Sequence, residues 1–128
     1  MLGFQKWENQ SNIKKPLFLE WIQWNHRGLE ICVEENTEEK NRITLLFDGV
    51  VYSYTNTLES YKPSVWIGKE EEYYPFYYSY DTEEAKKLRK EVEWIDEEII
   101  HFVIVGIDNV IDIFTSEFPK ILESHHKK

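Results

Sequence analysis

Residues 99–115, IIHFVIVGIDNVIDIFT, form the longest apolar run of the chain, and most of its apolar residues are β-branched or aromatic. The run is interrupted once, by Gly106 and the Asp108-Asn109 pair. Such a pattern predicts two strands folded back through a tight turn. Asp108 and Asn109 both tolerate positive φ, so the reading places them at the turn centre. Ile107 then faces Val110, Val105 faces Asp112, Val103 faces Phe114 and Phe102 faces Thr115. Side chains alternate between the two faces of a strand. Ile100, Phe102, Ile104, Ile111 and Ile113 share an uncharged face, and His101, Val103, Val105, Ile107, Val110, Asp112 and Phe114 share the other. A hairpin apolar on both sides belongs in the middle of a sheet.

The rest of the chain supplies flanking elements. Phe4, Trp7 and Ile13 punctuate an otherwise polar stretch over residues 1–15, read as a peripheral arm that docks or makes a short helix. After Pro16, LFLEWIQWNHRG fits helical spacing (Phe18, Trp21, Ile22, Asn25) and strand spacing (Leu17, Leu19, Trp21) equally well. LEICVE over 29–34 alternates like a half-buried strand, with Cys32 on its outer side. RITLLFDGVVYSYT over 42–55 reads as a second hairpin turning at Asp48-Gly49, with one bent strand as the alternative. Val65-Trp66-Ile67 is at most a short strand, and YYPFYYSY over 73–80 is an edge strand or irregular segment because of Pro75. Asp81 is placed as the cap of a helix running to about residue 93, with Glu84 completing a capping box. Ala85, Leu88, Val92 and Ile95 form its inner face. Phe118-Pro119 ends the last strand, Ile121-Leu122 is free to dock, and the tail from Ser124 is read as frayed. The expected fold is α+β: one domain over 1–128, a single mostly antiparallel sheet of four to six strands, and one principal helix packed on it.

Composition narrows function by exclusion. The formal net charge is −9, and residues 28–98 carry eighteen acids against eight bases. So acidic a middle region repels a nucleic-acid backbone and attracts a basic partner. One cysteine allows neither an internal disulfide nor a multi-cysteine zinc site, and no cofactor or metal is indicated. The longest apolar runs are too short for a bilayer span, and no secretory signal opens the chain, so the expected compartment is the cytoplasm. The glycine-rich, metal-protease and nucleophile-elbow motifs are all absent.

Two constellations stand out. The first is aromatic and acidic: Trp66, the Glu70-Glu71-Glu72 run, and Tyr73, Tyr74, Tyr77 and Tyr78. Tyrosine joins a large apolar body to a polar tip, which suits recognition surfaces. The second is polar: Glu59, His101 and Asp112 would make an acid/base site if they converged in one cleft. In the expected register His101 and Asp112 share a face without being opposite, and no activated nucleophile accompanies them. The preferred reading of that pair is therefore structural.

Two segments, HFVIVGIDNVIDIFTSEFPKI (His101 to Ile121) and FDGVVYSYTNTLES (Phe47 to Ser60), resemble parts of small uncharacterised bacterial proteins of toxin–immunity gene neighbourhoods. The resemblance covers about a quarter of the chain. It implies an α+β fold and inhibition by binding a cognate toxin, and it carries over no site residue. The sequence reading is thus a non-catalytic, cytoplasmic, immunity-like binding protein that occludes a basic protein partner, with no nucleic acid or membrane involved. A homodimer through a sheet edge is compatible with it. The alternatives are a small-ligand or carbohydrate site on the aromatic patch, or a small enzyme of unrecognised type.

Overall fold

The structure, a computed structural model, describes residues 3–9, 13, 16–58, 74–92 and 98–124, the side chains of 123 and 124 excepted. Its elements are β1 (Gln5–Lys6), β2 (Leu17–Asn25), β3 (Gly28–Glu35), β4 (Arg42–Phe47), β5 (Val51–Leu58), β6 (Phe76–Ser79), α1 (Glu83–Glu91), β7 (Ile100–Val105), β8 (Asn109–Thr115) and β9 (Lys120–Ser124). They build two antiparallel sheets, in the order β1-β6-β7-β8-β5 and β2-β3-β4-β9. The expected single sheet with a principal helix is therefore wrong. The protein is mostly β, and its only α-helix among the described residues is one short element.

The central hairpin forms, and its faces fall as the alternation predicts. Ile100, Phe102, Ile104, Ile111 and Ile113 point into a core shared with Leu29, Ile31, Val33, Ile43, Leu45 and Phe47 of the second sheet. Phe102 is fully buried and meets Phe47, Trp7 and Phe118 at ring-centroid distances of 5.4, 5.0 and 6.5 Å. Edge-to-face contacts of this kind add to the burial of the rings themselves.

The register differs from expectation by two residues. Val105 pairs with Val110, Val103 with Asp112 and His101 with Phe114. The turn is a longer loop, because the Ile107 amide donates to Leu17 O at 2.8 Å while the Gly106 amide donates to Asn109 O at 2.8 Å. The loop is thereby tied to the start of β2 instead of folding tightly on Asp108-Asn109.

The 42–55 segment is not a hairpin. β4 lies in one sheet and β5 in the other, and the Asp48-Gly49-Val50 corner carries the chain between them. Val50 is held there by Ser116: its amide donates to Ser116 Oγ at 3.0 Å and its carbonyl accepts from the Ser116 amide at 2.9 Å. A Cβ on Gly49 would meet Ser116 Oγ at 2.8 Å.

The ambiguous stretch after Pro16 is strand β2, with a bulge between Leu19 and Trp21. The extra residue shifts the alternation by one. Leu17, Leu19 and Ile22 consequently pack on the core, which suits neither a strict period of two nor a helix. A two-residue turn at His26-Arg27 joins β2 to β3. There Glu30 accepts from Asn25 Nδ2 at 3.1 Å and from Arg27, and these bonds, Asn25 first, hold its carboxyl below the usual range. Cys32 is buried, not outward and open, and burial pushes its thiol up.

The arm is built into the body. β1 pairs with β6, and Phe4 packs edge-on to His101 at 5.3 Å. The helix starts one residue later than the capping box implied: Thr82, not Asp81, is the N-cap, and its Oγ1 accepts from the Ala85 amide at 3.1 Å. Ala85, Leu88 and Val92 pack against Ile99, Phe114 and Tyr52 on the outer face of the five-stranded sheet. Ser124, expected in a frayed tail, pairs with Arg42.

Candidate functional site

The sequence singled out eight residues for a contact surface. Of these, Trp66, Glu70, Glu71, Glu72 and Tyr73 lie outside the described residues, as does Glu59. The described tyrosines divide by strand parity. Tyr77 is buried against Val103, Val105 and Val110 on the outer side of its sheet. Tyr74 is half-buried, its hydroxyl donates to Trp7 O at 2.7 Å, and burial followed by the Glu8 charge raises its phenol. Tyr78 is half-buried in the sandwich, and its hydroxyl donates to Gln5 Oε1 at 2.7 Å.

His101 and Asp112 do come together. The two-residue register shift makes them diagonal neighbours across β7 and β8, within reach of each other. His101 Nε2 lies 2.7 Å from Asp112 Oδ1, and His101 Nδ1 lies 2.9 Å from Thr82 Oγ1. Both side chains are buried, at 1% and 5% exposure. Thr55 Oγ1 extends the chain of contacts to Asp112 Oδ2 at 3.5 Å. With Nε2–H donating to the carboxylate, Nδ1 accepts the Thr82 hydroxyl proton, and that hydroxyl oxygen still accepts from Ala85 N–H. Every group of the set is used by a neighbour. Phe4 and Phe114 close over the imidazole, Phe114 at 4.3 Å between centroids. Although the order Thr-His-Asp matches that of a nucleophilic triad, its hydroxyl is occupied as a helix cap and its base is sealed from solvent. The arrangement joins α1 to the sheet; it does not present a reacting group.

A surface cleft lies where three strands of the five-stranded sheet end. Tyr80, Glu98, Ile100, Ser116, Glu117 and Phe118 line a cavity of about 390 Å³. Tyr80 follows β6, Glu98 precedes β7, and Ser116 to Phe118 follow β8, so one end of the sheet supplies every wall. Tyr78, Tyr80 and Phe118 form an edge-to-face row, with centroids 5.9 and 5.0 Å apart. Ile100 is buried, and Glu98 and Glu117 are exposed. The Tyr80 phenol is raised, first by burial and then by the Tyr78 and Glu98 charges around it. Two carboxylates beside an aromatic wall make a receptor for a cation. A guanidinium or ammonium gains from the carboxylates and from the ring faces together.

Sequence reasoning stopped short of Tyr80, Glu98, Glu117 and Phe118. Their elements are adjacent in space through β6-β7-β8 pairing, and no local spacing encodes that. Tyr80 alone gave a hint, as a ring just beyond the strand and next to a helix cap. Among the described residues no group of three or more metal-ligating side chains is clustered, and no helix is long and apolar enough to cross a membrane. Compared with protein-family models, curated proteins and solved structures, the chain shows no match.

Proposed function

We propose that this is a non-catalytic binding protein that occludes a basic protein partner, in the manner of immunity proteins, by taking an arginine or lysine side chain of that partner into the Tyr80–Glu98–Glu117–Phe118 cleft. The observation that carries the reading is the cleft itself: paired carboxylates and rings around a buried isoleucine floor. The net charge of −9 speeds the encounter with a basic surface, and the rings hold what the charge attracts. The burial of His101 and Asp112 fits a role in binding better than one in catalysis.

Titration calorimetry with short arginine-containing peptides tests the reading. Arginine peptides are expected to bind, lysine peptides less tightly, and both to weaken as salt is raised. Replacing both carboxylates (Glu98→Gln with Glu117→Gln) should cost at least about tenfold in affinity, roughly 1.4 kcal/mol. Equal binding of glutamate-ended peptides, or no effect of the double replacement, would sink it.

A further inference from the structure

Strand β5 is the outermost strand of its sheet among the described residues, and it is unusually bare. Its sequence VYSYTNTL contains no charge and no proline, and Ser53, Tyr54, Thr55 and Asn56 are exposed in succession, so both faces are open. Edge strands are normally blunted by lysine, proline, shortness or a covering element. A bulge between Val51 and Ser53 is the one such device here, and it sits at the start of the strand. On the sandwich side, Tyr54 meets Trp24 at 6.0 Å between centroids, and Trp24 and Leu58 are 57% and 54% exposed. The start of β5 is fastened to the cleft: Val51 pairs with Thr115, and Val50 exchanges hydrogen bonds with Ser116, which lines it.

We infer that the partner reads this molecule as an added strand: an extended segment pairs antiparallel with the free edge of β5, and the basic residue at its carboxyl end enters the cleft. The inference rests on the binding role proposed above and specifies how the partner is held. Backbone pairing on an edge gives affinity, and alternate side chains give selectivity. Apolar residues of the added strand face Tyr54, Trp24 and Leu58, and their polar neighbours face Ser53, Thr55 and Thr57. Antiparallel pairing sets the carboxyl end of the segment beside Val51. From there the end of β8 is about two strand spacings away, on the order of 10 Å, which one more residue and a long basic side chain can span. The charge pattern fits one kind of occupant, a strand with a neutral body and a basic end. A second copy of this chain would bring its own charge of −9 against the same acids.

The experiment uses the full chain and two synthetic peptides, acetyl-Thr-Val-Thr-Val-Thr-Val-Arg-Arg-amide and the same peptide N-methylated at alternate residues, with amide hydrogen exchange and titration as readouts. The unmethylated peptide is expected to slow exchange of the outward amides of β5 at least tenfold, and methylation to weaken binding at least tenfold. Equal binding of the two peptides, or unchanged exchange in β5 with the peptide bound, overturns strand addition and leaves the cleft reading standing. If an otherwise identical peptide ending in two glutamates binds as well as the arginine peptide, both readings fall. Slowing of β5 exchange with protein concentration alone assigns the edge to a second copy and also overturns the inference.

Discussion

Nε2 of His101 lies 2.7 Å from Oδ1 of Asp112, although the cross-strand partner of His101 is Phe114. The bond is diagonal, and it joins the two central strands on the face that carries the helix. On its other nitrogen the same ring meets Thr82 Oγ1, so one imidazole ties the helix cap to the sheet.

Removing the imidazole leaves a buried carboxylate and a threonine hydroxyl without their partner. His101→Phe keeps the contacts with Phe4 and Phe114 but should destabilise the protein by about 3 kcal/mol. Asp112→Asn, which keeps an acceptor oxygen, should cost about 1 kcal/mol. Urea unfolding monitored by tryptophan fluorescence measures both, and equal costs would contradict the order argued here.

Thr82 serves two neighbours with one hydroxyl. Thr82→Ala is expected to cost roughly 1–2 kcal/mol, and Thr82→Ser to restore most of it. A double-mutant cycle with His101→Phe should reveal coupling on the order of 1 kcal/mol, because the two changes delete one shared bond. Strict additivity would show the cap to be independent of the histidine.

Gly28 has φ +132°, and a Cβ there would collide with the Phe47 carbonyl oxygen. Gly28→Ala should therefore lose about 2–3 kcal/mol by strain and clash together. The loss would appear as a lower denaturation midpoint with an unchanged slope.

Trp7 packs against Phe76, Phe102 and Phe118 at 5.8, 5.0 and 6.3 Å. Trp7→Ala should cost about 3 kcal/mol, as for a core ring. A loss near zero would return residues 3–9 to the status of a loose arm.

The ion pair of Asp48 with Lys120, 2.8 Å between Oδ2 and Nζ, has a defined pH window. The lysine bond holds the Asp48 carboxyl below its usual value, so its stabilising effect is present above the unfolded carboxylate pKa. That effect is lost as pH falls through the lowered one. Lys120 is raised by the same bond, so its share is complete below the unfolded lysine pKa and lost as pH rises through the raised one. Both groups face water, and the effect should be small and weaken with salt. Asp48→Asn should leave stability unchanged at acid pH and lower it only in the neutral window. A thermal unfolding series in pH reads this directly.

Alternation made both faces of the 99–115 hairpin legible, because a two-residue slip preserves every side-chain direction. The same property hid the slip, and with it the meeting of His101 and Asp112. Asp48-Gly49 carried a genuine turn signal, but nothing local distinguishes a turn within one sheet from a corner between two. That single confusion turned a sandwich into a lone sheet. The Leu17–Asn25 strand was obscured by its bulge. The cleft depends on pairings from β6 through β8, so its walls come from three separated stretches that no motif links.

Each sheet is completed on one edge by a segment far along the chain from its neighbour: β1 closes against β6, and β9 closes against β4. A chain still being synthesised can assemble β2, β3 and β4 early, yet β4 keeps an unsatisfied ladder until residues 120–124 have left the ribosome. Nascent molecules therefore carry a transiently sticky margin, and the yield of correctly folded protein should depend on how quickly that final stretch arrives.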